Sequence, residues 1–253
     1  MKISSKVWDN YIKRLRTLNN AAAALITKYI GTHDVTSEQG IAELIAYSYA
    51  IATRYGEGSA ALSAEMYDVI AELSGEYLPP AVPAQTASYN ETARTVQGAR
   101  LFSKDPEVTA SAVGRLVKQA GVDTTMQNAL RDGAEWAWIP RGDTCAFCLT
   151  LASRGWQKAS PKALKNGHAE HIHNNCDCTY AIRFNGDTEV EGYDPEAYYE
   201  MYKSQPGTPK QKINAMRREA YAENKEAINA QKRSAYAKRI ELNSSAAEEI
   251  NID

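Results

Sequence analysis

The sequence predicts a mainly α protein in three parts. A helical N-terminal region covers about residues 1–130, a small α+β zinc-stapled module about 131–190, and a C-terminal helical arm 191–253. Three observations predict it. Apolar residues recur at three-and-four spacing through most of the first 137 positions, the pattern of helices with one buried face. All four cysteines and three of the four histidines crowd into residues 145–178. Positive charge collects in residues 203–239, which hold ten Lys/Arg against three Glu.

The elements follow in order. Residues 5–30 carry Trp8, Tyr11, Ile12, Leu15, Leu18, Leu25, Ile26 and Tyr29 on one helical face, and Gly31 is the expected stop. His33, in a Gly-Thr-His-Asp loop, reads as a surface or cap residue. Thr36 and Gln39 form a capping-box pattern opening a second helix through Ile41, Leu44, Ile45, Tyr47 and Ile51. A third, at about 59–73, carries Leu62, Met66, Val69, Ile70 and Leu73. Leu78-Pro79-Pro80-Ala81-Val82-Pro83 breaks the pattern and reads as a linker. Helices are predicted at about 88–102, 106–120 and 123–137, with Asp105-Pro106 as an N-cap followed by proline at the first helical position.

The texture changes at Trp136. Trp136 and Trp138 read as core packing beneath the Cys/His loops, and Cys178 to Phe184 has strand-like content. Asp194-Pro195 opens a helix bearing Tyr198, Tyr199 and Tyr202. Beyond Pro206-Gly207 and Pro209, residues 210–243 hold Ile213, Met216, Ala220, Ala227 and Ile228, too sparse for a coiled-coil seam.

Composition narrows the class. With 253 residues, 43% of them hydrophobic, the chain can bury a substantial core. No apolar run approaches the ~18 residues of a transmembrane helix, and no apolar stretch resembles a secretory signal, so no membrane partner is expected. The net charge of −2 conceals an asymmetry: residues 203–239 carry +7, the last fourteen −4, and the rest −5. The basic stretch makes Arg217, Arg218, Lys232, Arg233, Lys238 and Arg239 candidate contacts for DNA phosphates or for a protein partner. The competing reading is a solvated helix in which Glu219, Glu223 and Glu226 offset the cations.

The Cys/His window carries the chemistry. Cys145-x2-Cys148 precedes His173-x2-Cys176-x-Cys178. Zinc takes four thiolate or imidazole ligands in a tetrahedron, and a Cys-x2-Cys turn lets two sulfurs converge on one ion. Cys145, Cys148 and His173 with one or both of Cys176 and Cys178 are the candidate ligands, with His168 and His171 in reserve. The ion expected is structural Zn2+, because this region has little core of its own. The plain alternative is four reduced cysteines that happen to cluster. An enzymatic alternative, a zinc-supported nuclease or nucleobase deaminase, would use His168, Glu170, His171 or His173. The Cys pair, however, precedes His168-Ala169-Glu170 instead of following it, and no second histidine follows the strand at helical distance.

Arg131-Asp132, Trp138, Pro140 and the run Thr144-Cys145-Ala146-Phe147-Cys148-Leu149-Thr150-Leu151-Ala152-Ser153-Arg154-Gly155 precede His173-Asn174-Asn175-Cys176-Asp177-Cys178-Thr179 and the strand to Phe184. This combination resembles the Mu F-like minor head proteins of tailed bacteriophages, the head morphogenesis group. The likeness covers residues 131–184; the helical N-terminal region fits the group's general plan, and the arm after residue 203 matches nothing in it. The resemblance implies a minor capsid protein without catalytic activity, made in the host cytoplasm and housed in the virion inside the head. Its implied partners are the portal and/or major capsid protein, with contact to packaged double-stranded DNA left open. The chain departs from the group in having Asn174, Asn175 and Asp177 where a proline or basic residue is common.

Overall fold

The structure is a computed structural model that describes residues 2–140, 146–161 and 178–219, with six isolated positions beyond. Four helices dominate: α1 (Ser5–Thr32), α2 (Glu38–Leu73), α3 (Tyr89–Phe102) and α4 (Pro106–Asp132). The strands are β1 (Lys2–Ile3), β2 (Glu135–Ile139), β3 (Gln157–Lys158), β4 (Thr179–Arg183) and β5 (Glu189–Val190). Two shorter helices, α5 (Ala146–Ala152) and α6 (Pro195–Ser204), complete the named elements, and residues 209–219 are helical as well. The fold is mainly helical, as the periodicity predicts.

Several element boundaries differ from the sequence reading. Gly31 does not end α1; the helix continues to Thr32 and His33 caps it. The His33 Nδ1 lies 3.0 Å from the Tyr29 carbonyl, and its ring stacks on Tyr29 at 4.0 Å, which in turn stacks on Tyr47 at 4.3 Å. The N-cap of α2 is Ser37, not Thr36. Asp34 already accepts both the backbone N–H and the hydroxyl of Thr36, at 2.9 and 2.6 Å, so that hydroxyl is committed before the helix begins. Gly40 sits so close to the Asp34 carbonyl that a Cβ would run into it.

The two helices expected at 41–51 and 59–73 are one, α2. Gly56 and Gly58, between them, serve close approach. A Cβ at Gly56 would meet Thr86 Cγ2 at 2.9 Å, and one at Gly58 would meet Leu18 Cδ1 at 3.2 Å. Likewise 106–120 and 123–137 are not two helices. One helix, α4, runs to Asp132, and Gly133 ends it in the left-handed region at φ 68°. Only glycine adopts that conformation without strain. The chain then turns directly into β2.

The proline segment is not a loose linker. It lies as a strap across α2 and α4, held by side chains. The Ala81 N–H donates to Asp68 at 2.8 Å and the Ala84 N–H to the Thr124 hydroxyl at 2.9 Å. Asn128 accepts from the Val82 N–H and donates to the Val82 carbonyl, both at 2.9 Å. Arg131 donates to the Pro79 and Pro80 carbonyls at 3.0 and 3.1 Å. Backbone groups that prolines and irregular φ/ψ leave without ladder partners are thus satisfied by three polar residues of α4 and one of α2.

A three-stranded antiparallel sheet, ordered β3-β2-β4, sits beside the helices. In its register Trp136 faces Ile182 and Trp138 faces Tyr180. Trp136 and Trp138 therefore share one face with Tyr180, whose ring meets each indole edge-on at 4.8 Å. The N-terminus returns to the far end of the module: β1 pairs in parallel with β5, and the Ser5 N–H donates to Glu191 at 2.7 Å.

One core joins these parts. Trp8, Tyr11, Tyr67, Ile70 and Met126 of the helices are buried in the same cluster as Trp136, Trp138, Cys148, Leu151, Cys178, Tyr180 and Ile182. Burial of this area is the main stabilising term. A second cluster, with Ile26, Leu44, Ile51, Val96, Val113 and Leu116, fills the other end of the helices. Among the described residues no helix is long and apolar enough to cross a membrane.

Candidate metal centre

Cys148 and Cys178 are the two candidate ligands within the described residues. Cys145, His173 and Cys176 lie outside them, as do His168, Glu170 and His171 of the enzymatic alternative. Among the described residues no three His, Cys, Asp or Glu side chains converge as a metal-binding group.

Cys148 lies in the middle of α5, a short apolar helix, and is 2% exposed. That helix is anchored at its end, where the Ala152 carbonyl accepts from the Tyr193 hydroxyl at 2.9 Å. Gly155, at φ 62°, then turns the chain toward β3. Cys178 immediately precedes β4, whose Thr179 pairs with Ile139 of β2, and it is 5% exposed. A helix and a strand start, distant in sequence, thus deliver both thiols to one buried cluster.

The surroundings are apolar and aromatic. Trp136, Trp138 and Tyr180 are each about as buried as the thiols. Burial pushes the Tyr180 hydroxyl well above the usual tyrosine range, and the charges of Asp123 and Cys148 push it further. Among the described residues the Tyr180 hydroxyl and the Trp138 indole N–H have no hydrogen-bond partner. A thiolate gains little from solvation in such a setting. A bound cation is what would stabilise it, so the two described sulfurs fit a soft divalent ion such as zinc. Trp136 and Trp138 sit where the sequence reading puts them, in the core beside both cysteines.

Asp123 was not singled out by the sequence. Burial, reinforced by the charge of Glu91, raises its carboxyl to about 6, against a hydrogen bond from Gln119 that lowers it. The available signal was an acid one residue from Val122 and three from Met126, both of which are in the core.

The sheet edge has its own charged lock. Arg183 donates to Glu135 at 2.7 Å, in register across β2 and β4, and its guanidinium lies 4.7 Å above the Trp156 ring. Of the basic candidates, Arg217 and Arg218 are exposed on the 209–219 helix, and Arg233 is exposed. Lys232, Lys238 and Arg239 lie outside the described residues. Met216, 3% exposed, anchors the helix that carries Arg217 and Arg218. Lys212 bridges back to α6, its ammonium 3.0 Å from the Lys203 carbonyl and 5.1 Å from the centre of the Tyr202 ring.

The family described as VG15 protein matches residues 2–205, which includes every element named above and ends before the basic helix. No curated protein and no solved structure matches the chain. By that match over most of its length, the chain belongs to the VG15 protein family, a family of viral gene products.

Proposed function

We propose that this viral protein is a minor capsid, or head morphogenesis, protein of a tailed bacteriophage. In this reading it is a structural component inside the head near the portal, and a structural Zn2+ holds its module. Cys145, Cys148 and His173, with one or both of Cys176 and Cys178, are the ligands. The observation that carries the reading is the burial of Cys148 and Cys178 in one cluster beneath Trp136 and Trp138. Two halves of a Cys-x2-Cys and His-x2-Cys-x-Cys pattern thereby meet in a protein of viral family. The zinc acts by tying α5 to the start of β4; it supplies no catalysis. The portal and/or major capsid protein are its partners, and the basic arm contacts them or packaged double-stranded DNA.

Metal analysis of the purified protein tests the zinc. About one zinc per chain is expected, and chelation or Cys148→Ser should lower the melting temperature by several degrees. Metal-free protein with identical melting curves in chelator would overturn the metal reading. The capsid role is tested separately, by mass spectrometry of purified virions and of heads from which DNA has been released. Glu170→Gln should leave zinc content and virion incorporation unchanged; loss of a nuclease or deaminase activity in that variant would overturn the structural reading.

A further inference from the structure

Two surface features of this chain are complementary and share no residue. The first is the outward side of the proline strap. Its inner side is fixed by Asp68, Thr124, Asn128 and Arg131. The outer side leaves Tyr77 fully exposed, with Leu73 52% and Val82 62% exposed beside it. Pro79, Pro80 and Pro83 have φ fixed by their rings. Leu78, Pro79 and Val82 each precede a proline and are held extended by its bulk. The result is an apolar, extended ridge that loses little further entropy on docking.

The second feature is a groove of about 730 Å3 between α5, α6 and the 209–219 helix. Its walls include Pro195, Tyr199, Tyr202, Pro209 and Ile213, with Arg154 at the α5 end. Tyr199 is 44% exposed. Paired tyrosines with proline between them form the kind of wall that grips an extended proline ridge, the rings lying flat on the pyrrolidines and the hydroxyls meeting backbone carbonyls.

Charge selects the pairing. Residues 68–83 carry Asp68, Glu72 and Glu76 and no Lys or Arg. The groove has the exposed Arg154, and Lys203, Lys210 and Lys212 follow along α6 and the next helix. Glu196 also lines it, and Glu200 is neutralised by Lys203 at 3.3 Å. An acidic ridge therefore faces a groove of net positive charge.

We propose that the occupant of this groove is the strap of a second copy of this chain. Ridge and groove lie on different surfaces of one molecule, so the contact is head-to-tail. Each copy offers one ridge and one groove, and repetition gives a ring or an open chain. The assembly does not depend on the zinc reading.

Sedimentation and light scattering of the full chain, from low to high micromolar, test it. Tyr77→Ala with Val82→Glu disables the ridge, and Arg154→Glu with Tyr199→Ala disables the groove. All four positions are exposed, so circular dichroism and melting should be unchanged. Wild type should gain mass with concentration, and each double variant should associate about tenfold or more weakly. An equimolar mixture of the two variants should form a dimer and go no further, because one intact ridge and one intact groove remain. A wild type that stays monomeric, variants that associate as wild type does, or a mixture that stays monomeric would each overturn the proposal. The last two results would assign the groove to a different protein or the self-contact to a different surface.

Discussion

The Tyr67 hydroxyl donates to the Asp132 carboxylate at 2.9 Å, joining the middle of α2 to the last residue of α4. The same carboxylate takes two hydrogen bonds from Arg131, both at 2.7 Å, and Arg131 reaches on to the strap carbonyls. Burial works against the charge on Asp132, but the hydrogen bonds from Arg131 and Tyr67 outweigh it and hold the carboxyl below its ordinary range. The Tyr67 hydroxyl is pushed far up, first by burial and then by its bond to Asp132. One carboxylate therefore anchors helix end, helix middle and strap together.

Tyr67→Phe should lower unfolding free energy by about 2 kcal/mol, the scale of a hydrogen bond to a charged group. Asp132→Asn should cost a similar amount at neutral pH. Asp132 has a depressed folded pKa, so its contribution is present above the ordinary carboxyl value and lost as pH falls through the folded one. The gap between wild type and Asp132→Asn in urea unfolding should therefore close below about pH 4. A gap independent of pH would show that the charge on Asp132 is not what matters.

Asn128 is the strap's second anchor, and its amide is saturated: it accepts from the Val82 N–H and donates to the carbonyls of Val82 and Thr124. Asn128→Ala leaves a backbone N–H and C=O at the strap short of partners and should cost about 2–3 kcal/mol. It should also open the strap before the rest of the protein. Limited proteolysis should then cut within residues 76–87 at protease levels that leave wild type intact. Cleavage elsewhere first would argue that the strap is held by Arg131 and Thr124 alone.

The helical fold was legible because α1, α3 and the two ends of α2 and α4 carry apolar residues at helical spacing. The helix breaks were misplaced because Gly56, Gly58 and Gly121 look like weak points in one dimension. In three dimensions they are places where another element comes too close for a side chain. The strap was legible as a break but not as a packed element, since its partners Asn128 and Arg131 are more than 40 residues away. Cys148 and Cys178 were found from spacing alone. Asp123 was not, because nothing local marks a carboxylate as buried until β4 brings Tyr180 toward it.

Asp123 gives the opposite pH signature to Asp132. Its folded pKa is raised to about 6, so the folded state binds a proton that the unfolded chain has already released. Stability from this group is full below the ordinary carboxyl value and is lost as pH rises through about 6. Asp123→Asn removes that loss. The variant should match wild type near pH 4 and exceed it by about 1–3 kcal/mol at pH 8. Equal stability at pH 8 would mean that the ionised carboxylate is solvated in the folded protein.

Gly121 tests whether close helix packing, not helix propensity, governs α4. In an exposed helix Gly→Ala stabilises by about 1 kcal/mol. Here a Cβ would meet Ser59 Oγ at 2.6 Å and Ser63 Oγ at 2.7 Å. Ser63 cannot simply turn away, because its hydroxyl is bonded to the buried Tyr11 hydroxyl at 2.8 Å. Gly121→Ala should therefore destabilise by about 1–3 kcal/mol, as overpacking does. Ser59→Ala removes one of the two opposing oxygens. The double variant Gly121→Ala with Ser59→Ala should recover part of the loss, so the two changes should be non-additive by about 1 kcal/mol in a double-mutant cycle. Strict additivity, or a stabilised single variant, would show that α2 and α4 are farther apart at this level than the glycine contact requires.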